Sequence, residues 1–217
     1  MCIICEGNYN PETLTQLDCS GCPNITSIPD TLVNLSYLNC SRCPRLTTIP
    51  DTLVNIRHLS CTKCTKLRSI PYGLPSLVEL YCNFCPKIRS IPDGLPSLTE
   101  LYCSNCPKLS SISNTLVNLT GLGCFTCPRL RIIPNTFVNL ILLNCSECPK
   151  LTSIPNTFTN LTELDCFDCS NLTSIPNTLV NLENLNCSHC QRLRSIPDTL
   201  VNMVSLFCYN CPLLKFS

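Results

Sequence analysis

The sequence predicts a solenoid: a parallel β-sheet on a concave face, short extended or 3₁₀ segments on the convex side, and little α-helix. Three observations predict it. All 22 cysteines of the 217-residue chain fall in Cys-x-x-Cys pairs. Ten of those pairs, starting at Cys19, Cys40, Cys61, Cys82, Cys103, Cys124, Cys145, Cys166, Cys187 and Cys208, follow one another at an unbroken spacing of 21 residues. The same spacing carries Leu, Ile and Pro at fixed places, and a fixed period of about 20 to 50 residues is the signature of stacked repeats.

One unit runs from Leu35 to Asn55, LSYLNCSRCPRLTTIPDTLVN. Counting from Leu35, Leu recurs at positions 1 and 4, Cys at 6 and 9, Leu or Ile at 12, and Ile-Pro at 15 and 16, with Ile112-Ser113 the one departure at that pair. A further apolar column holds Leu32, Leu53, Leu74, Leu95, Leu116, Phe137, Phe158, Leu179 and Leu200. Positions 4 and 6 are two apart and face the same side of a strand. Leu38 and Cys40 therefore point inward, while Tyr37, Asn39 and Ser41 point outward. Pro at position 16 forbids a long helix on the return path, because it lacks an N–H and clashes with the preceding turn. The runs TLVNL and TFVNL have room for a single helical turn. No unit has enough apolar surface to fold alone, so stacking must build one continuous core.

The phrase LxxLxCxxCPxLxxIPxxL resembles the leucine-rich repeat, LxxLxLxxN/CxL, with Cys in place of the third Leu. The resemblance covers residues 14–217 and implies a horseshoe whose concave face binds protein partners. The all-cysteine form is also similar to leucine-rich repeat proteins of giant amoeba viruses, which implies a viral protein in host cytoplasm or virion. One domain over 1–217 is expected, with 1–13 a degenerate N-terminal coil and 14–217 ten repeats, the last truncated. That last layer has no polar cap after it, so end-to-end self-association is a further expectation.

Charge and composition exclude several classes. Fifteen Lys+Arg against 14 Asp+Glu give a net charge of +1, which argues against nucleic acid as the default partner. At 44% hydrophobic and 13% charged the chain is not a disordered tail. Met1-Cys2-Ile3-Ile4-Cys5-Glu6 has neither the basic nor the apolar region of a secretory leader, and no apolar run has the length of a membrane span. A reducing, cytoplasmic setting is therefore expected.

The cysteines admit four readings. Adjacent pairs have zinc-like spacing, C-x₂-C-x₁₇-C-x₂-C, but several four-thiolate sites inside an apolar stack would bury net negative charge. Disulfides between neighbouring coils are strained, because strand spacing holds Cβ atoms near about 4.8 Å and a relaxed bridge needs about 3.8 Å. A redox catalyst needs an accessible thiol of low pKa, and eleven copies do not define one site. The remaining reading makes each cysteine a small buried hydrophobe, with the position-9 S–H donating to a backbone carbonyl. No metal site and no cofactor are assigned on this basis. Cys2 and Cys5, the eleventh pair, lie 17 residues ahead of Cys19 and break the register.

Function then falls to the surface. Outward positions 3, 5, 7 and 8 collect eight of the thirteen aromatics: Tyr37, Tyr81, Phe84, Tyr102, Phe125, Phe167, Phe207 and Tyr209. They also collect the acids Asp18, Glu79, Glu100, Glu147, Glu163, Asp165 and Asp168. Aromatics flanked by charge are the usual anchors of a protein interface. Position 11 is basic at Arg45, Lys66, Lys87, Lys108, Arg129, Lys150 and Arg192, and position 13 adds Arg68, Arg89, Arg131 and Arg194. These form a basic loop edge, a solvated rim or a track for a polyanion. Nothing points to catalysis: His58 and His189 sit on outward positions of distant units, and no Gly-rich phosphate loop is present. The reading is a non-enzymatic interaction scaffold with a protein partner. A thiol-rich metal-binding or redox-responsive protein is the first alternative, and polyanion binding along the basic edge the second.

Overall fold

A computed structural model describes residues 2–215 of the chain; Met1, Phe216 and Ser217 lie outside them. Each repeat contributes one three-residue strand. In chain order these are β1 (Gln16–Asp18), β2 (Tyr37–Asn39), β3 (His58–Ser60), β4 (Glu79–Tyr81), β6 (Glu100–Tyr102), β8 (Gly121–Gly123), β9 (Leu142–Asn144), β10 (Glu163–Asp165), β11 (Asn184–Asn186) and β12 (Ser205–Phe207). They form one ten-stranded parallel sheet in that order. The register never slips, running Leu17↔Leu38, Leu38↔Leu59, Leu59↔Leu80 and so on to Leu185↔Leu206. A slip of one residue would turn every inward Leu to solvent, which is why the period tolerates no insertion.

The convex side is extended, as predicted. Two short strands there, β5 (Ser90–Ile91) and β7 (Ser111–Ile112), pair with each other, and an isolated bridge joins Ser27 to Thr48. The TLVNL and TFVNL runs each close one turn and go no further. They form tight turns closed by bonds three residues back, such as Leu35 N–H to Leu32 O at 3.2 Å and Leu140 N–H to Phe137 O at 3.1 Å. Neighbouring coils hold them. Asn160 donates to Val138 O at 3.0 Å and Asn181 to Thr159 O at 2.8 Å, while Thr157 donates to Asn135 O at 2.6 Å. The Thr and Asn of the repeat therefore form a ladder of inter-coil bonds, which competes with helix formation for the same backbone groups. The one α-helix among the described residues is α1 (Ile3–Glu6).

The core is the predicted stack. Leu at position 4 is buried from Leu17 to Leu185, and Leu35, Leu46, Leu53 and Phe137 are fully enclosed. Each such side chain contributes about 1.5–3 kcal/mol on burial before chain entropy is subtracted. Cys2, Ile4 and Tyr9 are partly buried against this core. In the last described coil, Leu206, Phe207 and Tyr209 are exposed.

Candidate functional site

Each strand ends in a turn that the Cys-x-x-Cys spacing dictates. The residue before the second Cys takes a left-handed conformation in every repeat, from Gly21 (φ 69°) through Arg42, Lys63, Phe84, Asn105, Thr126, Glu147, Asp168 and His189 to Asn210 (φ 54°). That turn aims its N–H at the next coil, as in Arg42 N–H to Thr62 O at 2.7 Å and Glu147 N–H to Phe167 O at 2.7 Å. It also corrects one expectation. Positions 7 and 8 are not strand positions, so Phe84, Phe125, Phe167, Tyr209, Glu147, Asp168 and His189 sit on the turn bordering the sheet. The Gly at 21, the Asn at 105 and 210, the Asp at 168 and the His at 189 were the sequence signal for a left-handed residue.

The turn also sets the thiol geometry. From Cys43 to Cys211, each position-9 thiol donates to the carbonyl of the position-6 cysteine one coil back: Cys64 to Cys40 O at 3.0 Å, Cys106 to Cys82 O at 3.3 Å, Cys127 to Cys103 O at 3.3 Å and Cys211 to Cys187 O at 3.1 Å. All 22 cysteines are thiols. Loss of water pushes the thiols of Cys82 and Cys103 far above the ordinary range, and burial pushes Cys106 and Cys127 up to about 12. At these four positions the sulfur is neutral.

The outward strand positions carry the candidate site. Four rings stack across four consecutive coils. Tyr37 and His58 lie 4.9 Å apart and 11° from parallel, His58 and Tyr81 5.3 Å, and Tyr81 and Tyr102 5.0 Å and 5°. Strand spacing near about 4.8 Å delivers one ring per rung at stacking distance. The stack includes His58, which sequence reasoning treated as an isolated outward residue. Acids fasten it: His58 Nδ1 meets Glu79 Oε2 at 2.9 Å, the Tyr81 hydroxyl donates to Glu79 at 3.1 Å, and the Tyr102 hydroxyl to Glu100 at 3.1 Å. Partial burial and the adjacent Glu79 carboxylate push the Tyr81 phenol up to about 12, so it remains a donor.

Beyond Tyr102 the wall drops. Gly121 and Gly123 on β8 carry no side chain, and Glu100 and Tyr102 lean into the space that a Cβ would fill. The result is a hollow of about 400 Å³ lined by Tyr102, Gly123, Leu142, Glu163, Asp165 and Phe207, among others. Removal from water raises the Asp165 carboxyl above its usual value, against the Phe167 N–H that holds it down. Of the predicted aromatics, Tyr37, Tyr81 and Tyr102 form the stack. Phe84 lies apart under Lys63, whose Nζ is 5.2 Å from the ring centre. Phe167 pairs with His189 at 5.1 Å, and Phe207 with Tyr209 at 6.3 Å. Phe125 is half-buried on the turn.

The basic residues fall on the opposite rim of the turn. Arg45, Lys66, Lys87, Lys108, Arg129, Lys150 and Arg192 are all exposed. Arg68, Lys87, Arg89 and Lys108 converge on one depression.

A family model for the leucine-rich repeat matches residues 13–35 and 181–203. No curated protein matches the chain. Among solved structures, the functional domain of InlJ from Listeria monocytogenes, which includes a cysteine ladder, is 26% identical with a TM-score of 0.74, covering 94% of this chain and 46% of its own. The leucine-rich repeat domain of the type III effector XopL is 21% identical with a TM-score of 0.68, over 89% of this chain and 73% of its own. YopM from Yersinia enterocolitica is 22% identical with a TM-score of 0.65, over 94% and 48%. The chain thus spans about half the length of InlJ and YopM.

Proposed function

Starting from a leucine-rich-repeat solenoid, which the two matched segments and these neighbours support, we propose that the protein is an interaction scaffold whose concave face docks a protein partner. Leucine-rich-repeat folds are generally non-enzymatic scaffolds. The observation that supports docking here is the ring stack Tyr37–His58–Tyr81–Tyr102, pinned by Glu79 and Glu100 and leading into the hollow beyond Gly123. Rigid, half-exposed aromatics lose little conformational entropy on binding and bury a large area. Glu163 and Asp165 extend the acidic lining, so the partner would present basic and aromatic or aliphatic groups together. The compartment in this proposal is reducing and intracellular, since the carbonyl-bonded ladder requires thiols. Host cytoplasm or virion follows if the likeness to the giant-virus repeats extends to origin.

The test is affinity capture with the intact chain and with a Tyr81→Ala/Tyr102→Ala variant of equal thermal stability. The double variant should lose the partners the parent retains. The same partners bound equally by both would refute docking on this face. A second reading rests on the convergence of Arg68, Lys87, Arg89 and Lys108: a polyanion runs along the rim. Retention on heparin that falls steeply with salt and is lost on Lys87→Glu/Arg89→Glu would support it. Retention unchanged by that variant would refute it.

A further inference from the structure

The first coil departs from the thiol ladder that every later coil obeys. Cys22 stands at position 9, yet its Sγ lies 3.3 Å from Cys2 Sγ and 3.3 Å from Cys5 Sγ, and those two are 3.6 Å apart. Three sulfurs in mutual contact form the one metal-competent cluster of cysteine, histidine and carboxylate groups among the described residues. Cys2 and Cys5 are the pair that breaks the 21-residue register. α1 accounts for their convergence. Cys2 is its N-cap, the Cys5 N–H bonds to Cys2 O at 2.9 Å, and residues three apart on a helical turn face the same way. Gly7, left-handed at φ 68°, then ends the helix.

We propose that Cys2, Cys5 and Cys22 form a zinc site at the N-terminal end of the solenoid, supplying three thiolates and leaving the fourth position to water or to a group from outside the chain. The size fits: zinc–thiolate bonds of about 2.3 Å in a tetrahedron put sulfurs about 3.8 Å apart, so each edge of the triangle opens by only a few tenths of an ångström. The chemistry fits, since an all-sulfur donor set selects a borderline-soft ion over calcium or magnesium. The charge fits as well. One Zn²⁺ with three thiolates carries a single negative charge, and Cys5 is exposed and Cys2 half-buried, so water screens it. The desolvation objection to zinc in the interior columns does not apply here. Each thiol that coordinates releases its proton to buffer. The site is independent of the concave-face reading.

The test uses the full chain purified in reductant, stripped of metal and titrated with Co²⁺ as a spectroscopic probe, with zinc measured by mass spectrometry. Expected is about one ion per chain, a thiolate charge-transfer band in the near ultraviolet and strong tetrahedral bands in the red. Cys5→Ser should abolish them, and because Cys5 is exposed this variant keeps its fold. Cys208→Ser, at the far end, should leave them intact. Absence of thiolate bands in the parent, bands that survive Cys5→Ser, or a disulfide within the triad of the reduced protein would each overturn the proposal.

Discussion

Serine and alanine should rank in opposite order at Cys127 and at Cys103. At position 9, Cys127 donates to Cys103 O at 3.3 Å. Cys127→Ala removes that bond, strands the carbonyl and deletes a buried sulfur. Together these cost about 2–4 kcal/mol, of which the stranded carbonyl is the largest part. Cys127→Ser keeps a donor and loses mainly the sulfur's packing, about 1–2 kcal/mol. At position 6, Cys103 is fully enclosed, and among the described residues its thiol donates to no carbonyl of another coil. Cys103→Ser therefore buries a hydroxyl without a partner and costs about 2–4 kcal/mol, whereas Cys103→Ala forfeits only about 1 kcal/mol of packing. Urea unfolding followed by far-ultraviolet circular dichroism in reductant measures all four variants. Serine should be the milder change at 127 and alanine at 103. The same ranking at both positions would refute the distinction between a hydrogen-bonded thiol at 127 and a packing thiol at 103.

Stability should fall in alkali. Cys106 and Cys127 have ordinary thiol values of 9.0 when unfolded and about 12 when folded, so their contribution is complete below pH 9 and is lost as pH climbs from about 9 to about 12. Urea midpoints at pH 7, 9 and 10.5 check this, and a flat profile would contradict it. Thr126→Gly relieves a β-branched residue at φ 53° and should stabilise by about 0.5–1 kcal/mol, the strain relief exceeding the added chain entropy, as read from the same unfolding curves. Gly121→Ala puts a methyl where the Glu100 carboxylate lies, displacing it from the Tyr102 and Thr120 hydroxyls, each at 3.1 Å. Partner capture should fall, as expected for the Tyr81→Ala/Tyr102→Ala variant, while the melting temperature changes little.

The fold was legible because one physical constraint is written ten times. Leu at position 4 and Cys at position 6 alternate with polar residues, and Pro at 16 rules out a long return helix, so strand, stack and convex side follow from spacing alone. Contacts between coils were less legible. Asn160 to Val138 and Thr157 to Asn135 join residues 22 apart, and no local pattern announces a side chain bonding the neighbouring repeat's backbone. The left-handed residue was half legible: Gly21 and Asn105 mark it, but Phe84 and Thr126 occupy it against their steric preference. In the candidate site, Tyr81 and Tyr102 were visible as one column. Tyr37 and His58 stand at position 3 rather than 5, and only three-dimensional placement shows that the stack crosses from one column to the other. The out-of-register Cys2 and Cys5 were visible as an anomaly. Their meeting with Cys22 required the helical turn to be built.

The bonds that hold neighbouring coils together all run along the axis of the stack, while the covalent chain crosses each interface once. Tension applied end to end would therefore load an entire interface in the direction in which its bonds break, rather than shearing strands past one another. The weakest interface would open as a unit and release one coil, about 70 Å of slack at full extension. A molecule of this design is a mechanical sawtooth, with coil-sized steps and a force set by the ladder at each junction.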